Sequence, residues 1–155
     1  LYEPGDTRRA AITTGRKSNT LVTYVRKWVP TQGVNFLQNI PIMRISEMFL
    51  IRAEANFRGG TAIGATAQAD LDRIRTRSGL GIVPVSVNAI LKERRIELAF
   101  EGDRWFDLVR LGQDIPKTSA LGNLPAIAIT DFRILAPIPV GELSVNPNLV
   151  KNDGY

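Results

Sequence analysis

The segment from residue 93 to residue 112, ERRIELAFEGDRWFDLVRLG, constrains the fold of this chain more than any other feature. It mixes charges of both signs with large apolar residues at helical spacing, whereas a solvated helix keeps these two classes on separate faces. If the segment is one helix of about 3.6 residues per turn, Arg94 and Glu101 share a face with Leu98. Because an unpaired buried charge is costly, the segment predicts an internal ion-pair network that locks helices together.

The spacing of the charges suggests which residues form this network. Glu97 and Glu101 have like charge and lie four residues apart, so arginines must lie between or opposite them. Arg94 and Arg104, each three residues from one of these glutamates, are the local candidates. The predicted structural network consists of Glu54, Arg94, Glu97, Glu101, Arg104 and Asp107.

Apolar periodicity predicts helices between residues 41 and 112, which we expect to be the helical core. Pro41 suits the first turn of a helix, Ser86 suits an N-cap, and glycines follow the expected helix ends. The helices are predicted at residues 41–58, 66–78, 86–101 and 103–111, with a kink or break at Gly102. The first two would form an antiparallel hairpin like a tetratricopeptide repeat.

The same periodicity predicts which residues are buried. Most of the first helix should be buried, and Trp105 should be a core residue because of its helix face. The buried apolar surface of the first helix is predicted to comprise Ile45, Met48, Phe49, Ala53 and Phe57, and that of the second Ala67, Leu71, Ile74 and Ser78.

Both ends of the chain look irregular, since prolines and glycines interrupt them. Residues 1–40 are predicted to be a lead-in whose β-prone stretch, 20–29, is a short strand or an extended segment. Residues 113–155 are predicted to be a loop and C-terminal tail, extended at 132–138 and with one helical turn at 139–143. The predicted fold is all-α, with tetratricopeptide-like helical hairpins, long irregular loops and an irregular tail.

Composition excludes several classes of site. The 155 residues include no cysteine and no histidine, which removes thiolate chemistry, disulfides and every Ser-His or Cys-His dyad. Paired acids such as Glu97 and Glu101 could perform acid–base hydrolysis, but each acid has an arginine at helical spacing. We therefore expect no catalytic residue. No calcium-loop spacing appears, and we expect neither a metal site nor a cofactor.

The net charge is +5, from 20 Lys and Arg against 15 Asp and Glu. Nucleic-acid binding is the alternative that such a charge suggests, but no zinc-finger, KH or RNP pattern accompanies it, so no nucleic-acid partner is expected. Trp28, before Pro30 in the irregular lead-in, is the weak candidate for ligand binding by stacking on a sugar ring. The unpaired positive charge is predicted at Arg8, Arg9, Arg16, Lys17, Arg26 and Lys27.

Four segments carry a further signal, in the order PIMRISEMFLIRAEANFRGG, ADLDRIRTRSG, ERRIELAFEGDRWFDLVRLG and APIPVGELSVNPNLVKNDGY. In this order they resemble the C-terminal part of the SusD/RagB family, surface lipoproteins of Bacteroidetes that capture nutrients. The resemblance covers nearly all of the chain from residue 41, and Tyr155 coincides with the family's usual end. Asp72, Ala136, Lys151 and Asp153 depart from the family's usual residues.

The resemblance implies that residues 1–155 are the C-terminal portion of a longer domain. It implies a partner, the SusC-like TonB-dependent transporter of the outer membrane, and a ligand, usually an oligosaccharide or polysaccharide. It further implies a cell-surface location, with a lipid anchor on a cysteine upstream of Leu1. The alternatives are a peptide-capturing receptor of the RagB kind and a purely structural helical scaffold that docks to the transporter.

Overall fold

The structure is a computed structural model that describes residues 2–28, 42–119 and 122–155. These residues form two compact units that divide between Gly102 and Asp103. The first unit holds a β-hairpin followed by three α-helices, and the second holds a helix, a second β-hairpin and a short helix. No helix among the described residues is long and apolar enough to cross a membrane.

The helices of the first unit pack around a small apolar core. They are α1 (Ile45–Gly59), α2 (Ala67–Arg77) and α3 (Val87–Glu97), and α1 packs against both of the others. Complete burial of each leucine or isoleucine side chain contributes about 1.5–3 kcal/mol, so this core supplies much of the driving force for packing. The side chains exposed by no more than 2% include Leu50, Ala53, Leu71, Ile74, Ile90 and Ile96.

Side-chain caps fix where two of these helices begin. The Thr66 hydroxyl accepts a hydrogen bond from the Ala69 N–H at 3.1 Å, and the Ser86 hydroxyl accepts one from the Ala89 N–H at 3.1 Å. Each such cap typically contributes about 1 kcal/mol. The predicted Ser86 cap is therefore confirmed. The predicted buried stripe of α2 is confirmed as well, since all four of its residues are buried.

Helix α1 differs from its prediction in two respects. It begins at Ile45 rather than at residue 41, and Pro41 lies outside the described residues. Ile45 is 68% exposed and Met48 is 39% exposed, so the prediction that most of the helix is buried is wrong. Periodicity identifies an apolar face, but it does not show whether another element covers that face.

The segment from residue 93 to residue 112 is interrupted, as the predicted kink or break at Gly102 indicates, although α3 ends before residue 101. Helix α3 ends at Glu97, Phe100 and Gly102 have positive φ angles of 69° and 95°, and α4 (Asp103–Arg110) follows in the second unit. Trp105 lies on α4 and is 37% exposed. The prediction that Trp105 is a core residue is wrong, because it assumes that the helix continues without a break.

Two β-hairpins correct the all-α prediction to a helix-rich fold with two small antiparallel sheets. Strands β1 (Ile12–Lys17) and β2 (Thr20–Val25) pair through a two-residue turn in which Ser18 has a φ of 57°. Strands β3 (Ile115–Ser119) and β4 (Gly122–Ile127) pair in the second unit. Threonine and valine favour the first hairpin, which occupies the predicted irregular lead-in.

The C-terminal tail contains short ordered elements. Phe132–Ile134 is a 3-10 turn, so the prediction of an extended segment from residue 132 is wrong at its start. Helix α5 (Val140–Val145) follows Pro139, close to the predicted helical turn. The Tyr155 hydroxyl donates to the Leu135 carbonyl at 2.9 Å.

Candidate functional site: a charge cluster and its aromatic neighbours

Helix α3 and the turn after it carry three carboxylates at four-residue intervals, and cations from four other parts of the first unit surround them. Four-residue spacing places successive side chains on one side of the chain, where like charges repel unless cations separate them. The charge cluster is defined here as Glu93, Glu97 and Glu101 with Arg8, Lys27, Arg44, Arg75 and Arg77.

Glu97 is the centre of the charge cluster. Its Oε1 atom accepts from Arg44 Nη1 at 2.7 Å, and its Oε2 atom lies 2.7 Å from Arg77 Nη2 and 3.0 Å from Arg8 Nη1. The Glu97 side chain is only 2% exposed. A carboxylate this deeply buried is tolerated because both of its oxygens are engaged by guanidinium groups.

Glu101 extends the cluster past the end of α3. Arg44 Nε donates to both of its oxygens, at 3.0 and 2.8 Å, and Lys27 Nζ also pairs with it. The same ammonium group donates to the backbone carbonyls of Glu97 and Ala99, at 2.8 and 2.9 Å. Lysine therefore satisfies carbonyls that the end of a helix leaves without a partner.

Glu93 connects the cluster to the first residues of the chain. Its Oε1 atom lies 2.6 Å from Arg8 Nη1, outside hydrogen-bonding geometry, and its Oε2 atom accepts from Arg75 Nη1 at 3.1 Å. Arg8 is itself fixed by Asp6, whose two carboxylate oxygens each lie 2.9 Å from a guanidinium nitrogen. Arg75 also pairs with Glu3 at 3.0 Å.

The electrostatics of the cluster keep its carboxylates ionised. Burial opposes the charge on Glu97, but hydrogen bonds from Arg77 and Arg44 outweigh it and lower the pKa of Glu97 to about 2. Burial likewise opposes the charge on Glu101, and Arg44 and Lys27 lower its pKa. A general acid for glycoside hydrolysis needs a raised pKa, so neither glutamate suits that role.

Two cavities adjoin α1 and α2. The smaller, of about 250 Å³, lies over the charge cluster, and the cations on its wall are already paired with carboxylates. The larger, of about 380 Å³, lies beside Phe49, whose ring is covered by the Arg73 guanidinium at 4.5 Å. Its volume is within the range of small-molecule sites. It is lined by Ile45, Ser46, Phe49, Arg73, Ile74 and Arg77.

The structure distributes the residues of the predicted network among several places. Only Glu97 and Glu101 belong to the charge cluster as defined here. Arg94 donates to Glu47 on α1 at 3.0 Å, and Glu54 accepts from Arg58 on its own helix at 2.9 Å. Arg104 and Asp107 lie on α4 in the second unit, where Asp107 accepts from Arg110 at 2.9 Å.

The arginines that contact Glu97 are not those that helical spacing indicates, three and four residues away. Arg8 and Arg44 are 89 and 53 residues from Glu97 along the chain. Arg8 and Lys27 both form ion pairs, so the prediction that they carry unpaired positive charge is wrong. Within the described residues, Arg9, Arg16, Lys17 and Arg26 form no ion pair.

Two aromatic residues of the first unit, Trp28 and Tyr24, differ in how they are held. Trp28, the candidate for stacking, is half-buried, and its indole N–H donates to the Phe100 carbonyl at 3.3 Å. Tyr24 lies on β2 and is 41% exposed.

No group of three acidic side chains that could hold a metal ion occurs in the part of the chain that the structure describes.

This architecture defines a helical scaffold whose buried charges are paired. A family model described as the SusD family matches residues 4–155, and the chain therefore belongs to the SusD family. It is 32% identical over 124 residues to the starch-binding protein SusD of Bacteroides thetaiotaomicron, covering 76% of this chain and 22% of that protein. SusD-like protein P2 of Formosa agariphila is 36% identical over 130 residues, covering 73% of this chain and 25% of that protein.

Solved structures show the same fold. The surface glycan-binding protein A from Bacteroides uniformis superposes with a TM-score of 0.75 and 29% identity, covering 97% of this chain and 38% of that one. A SusD superfamily protein from Bacteroides vulgatus superposes with a TM-score of 0.74 and 27% identity, covering 99% and 36%. The chain thus spans about a quarter of the length of the curated relatives it matches.

Proposed function

We propose that this chain is the C-terminal portion of a longer cell-surface protein that captures glycans and passes them to a SusC-like TonB-dependent transporter. The observation that carries the proposal is the family match over residues 4–155, together with relatives named for starch and glycan binding. Because the chain covers only 22% and 25% of the two curated relatives and 38% of the solved glycan-binding protein, the complete activity belongs to the longer protein.

The charge cluster supports a binding role rather than bond cleavage. Its carboxylates are held by arginines and lysine, and those of Glu97 and Glu101 have lowered pKa values. A glycoside hydrolase with two catalytic carboxyl groups needs one of them to be protonated near neutral pH. The cluster instead fixes the N-terminal segment on α2 and α3, as a rigid scaffold for binding surfaces requires.

The transporter and the outer-membrane location form part of the same proposal. A lipid anchor upstream of this chain would hold the protein at the cell surface, with membrane association only through that anchor. Glycan capture above a transporter requires the protein to stay beside its partner while its binding surface faces outward. The support for this step is family membership.

Calorimetric titration of the longer protein against a panel of oligosaccharides and peptides tests the proposal. We expect heat from at least one oligosaccharide and no release of shorter products during incubation. Peptide binding without glycan binding would favour the peptide-capturing alternative. No binding to either panel would favour the structural scaffold, and product release would contradict the binding role.

A further inference from the structure

The β1–β2 hairpin is attached to the helices through both of its ends. Before β1, Arg8 contacts Glu93 and Glu97 on α3. After β2, Lys27 binds Glu101 and the carbonyls at the end of α3. These ion pairs involve side chains that are largely buried, so they hold the base of the hairpin firmly.

The hairpin itself remains open to solvent. None of its twelve strand residues is buried, and no helix in the described part of the chain packs along it. A hairpin of two strands is marginally stable alone, and here the anchored ends compensate for the absence of a covering layer. Neither face is therefore covered by another element of the described residues.

The strand register determines which residues share each face. Tyr24 is paired with Thr13, and Gly15 with Val22, so these two pairs are successive on one face. The third pair on that face is Lys17 with Thr20. The opposite face carries Ile12, Thr14, Arg16, Leu21, Thr23 and Val25.

Tyr24 lies across the strand at the position where Gly15 has no side chain. A Cβ atom added to Gly15 would be 3.0 Å from Tyr24 Cε2 and 3.5 Å from Tyr24 Cδ2, which places the edge of the ring against the backbone of β1. The ring is nevertheless 41% exposed. One part of the ring is thus fixed while the rest faces solvent.

The hydroxyl group of Tyr24 is also available, since it makes no hydrogen bond within the described residues. Tyr155, which is similarly exposed, differs because its hydroxyl donates to Leu135 and its ring packs edge-on against Phe132 at 5.2 Å. The indole N–H of Trp28 already donates to the Phe100 carbonyl. Of these three aromatic side chains, Tyr24 alone combines an exposed ring with an unused polar group.

This arrangement matches the chemistry of a sugar ring, which has an apolar C–H face and hydroxyl groups at its edge. An aromatic ring stacks on the apolar face, while hydroxyl and ammonium groups beside it bind the edge. Thr13, Thr20 and Lys17 supply such groups on the face that carries Tyr24. The face extends over about 13 Å from the first pair to the third, at about 3.3 Å per residue.

We propose that Tyr24, seated on Gly15, is a platform on which a sugar ring of an oligosaccharide stacks, with Thr13, Thr20 and Lys17 binding its hydroxyl groups. The inference rests on the proposed glycan capture and locates one binding surface within this chain. An aromatic ring over a strand glycine also stabilises a hairpin, so the test must separate that role from binding.

Titration of the 155-residue chain with laminarihexaose and maltoheptaose provides the test. Because both probes are uncharged, binding driven by net charge does not contribute. We expect Tyr24→Leu, which still covers Gly15 but has no flat ring, to weaken binding about tenfold. Tyr24→Phe, which keeps the ring and loses only the hydroxyl, should weaken it less than Tyr24→Leu. Leu21→Ala, on the opposite face, is the matched control and should bind like the unmodified chain.

A second variant and a second readout make the test independent of hairpin stability. Gly15→Val places a branched side chain where the ring rests, so the ring must move and binding should fall by about the same factor. With only three tyrosines in the chain, tyrosine-selective labelling gives a resolvable spectrum. We expect the probe to shift the Tyr24 ring signals and to leave those of Tyr155 unchanged.

Two results would overturn the platform, and neither of them by itself contradicts glycan capture. Equal binding by the unmodified chain and by Tyr24→Leu would place glycan binding elsewhere in this chain. Absence of binding by the chain, when circular dichroism shows that it is folded and the longer protein binds the same probes, would place the site outside it. Failure of the longer protein to bind any glycan would instead contradict the proposed function.

Discussion

The two units of this chain use charge in opposite ways. In the first unit, the ion pairs of the charge cluster join residues that are 18 to 89 positions apart, such as Arg75 with Glu93 and Arg8 with Glu97, and their carboxylates are buried. In the second unit, Asp107 pairs with Arg110 three residues away, and Asp131 pairs with Arg133 two residues away. The first arrangement joins distant parts of the chain, whereas the Asp131–Arg133 pair reinforces a local turn.

The difference has an energetic basis. A buried carboxylate that loses its partners keeps the cost of desolvation without the compensating attraction. An exposed pair is screened by water and usually contributes little. We therefore expect perturbations of the two kinds of pair to differ strongly in their effects on stability.

The largest expected effect is that of Glu97→Ala. Removing this carboxylate leaves Arg8, Arg44 and Arg77 close together without their common partner, and the free energy of unfolding should fall by about 3–5 kcal/mol. Urea denaturation followed by circular dichroism measures the change. A variant as stable as the unmodified chain would show that the charge cluster does not determine the fold of the first unit.

The second expected effect is a loss of stability in acid. The pKa of Glu97 is about 2 in the folded chain, against an ordinary value of 4.5, so the folded state binds this proton less readily than the unfolded state. The stabilisation is present above pH 4.5 and is lost as the pH falls from 4.5 towards 2, by about 3 kcal/mol.

Denaturation at a series of pH values checks this prediction, with Glu97→Ala as the control. The stability difference between the unmodified chain and the variant should shrink as the pH falls through this window. A difference that stays constant from pH 6 to pH 2 would mean that the charge on Glu97 does not contribute.

The smallest expected effect is that of Arg133→Ala in the second unit, which removes the ion pair but keeps the backbone N–H that donates to Asp131. The Asp131 carboxylate contacts Arg133 Nη2 at 2.6 Å, a shorter distance than any that the Glu97 carboxylate makes to its arginines, but the pair is largely exposed. Thermal unfolding should therefore have the same midpoint as in the unmodified chain. A clear decrease in the midpoint would contradict the conclusion that burial, rather than a short distance, determines how much an ion pair contributes to stability.

The secondary structure is largely predictable, because its signals are local. Ser86 caps α3 as its sequence context indicates, and Gly60 ends α1 with a φ of 74°. The β-hairpins are harder to predict, since threonine-rich segments become strands only when a partner strand pairs with them. Periodicity places Trp105 wrongly because the helix is interrupted where Phe100 and Gly102 have positive φ angles. A positive φ is uncommon for phenylalanine, so the sequence gives no strong sign of it at Phe100.

The site is less predictable than the fold. Glu97 and Glu101 can be identified as residues that need partners, but Arg8 and Arg44 cannot be identified as those partners. Likewise, nothing in the sequence places Tyr24 against Gly15, because strand register decides which residues share a face.

By itself, the sequence determined the helices, their caps, the requirement that the charges of α3 be paired, and the resemblance to a family. Only the tertiary structure decided which cations contact Glu97 and which aromatic ring of the hairpin remains exposed. The physical reason is the distance along the chain over which each interaction acts. Caps and helical periodicity act over three or four residues, whereas buried ion pairs and cross-strand contacts join residues that only the folded backbone brings together.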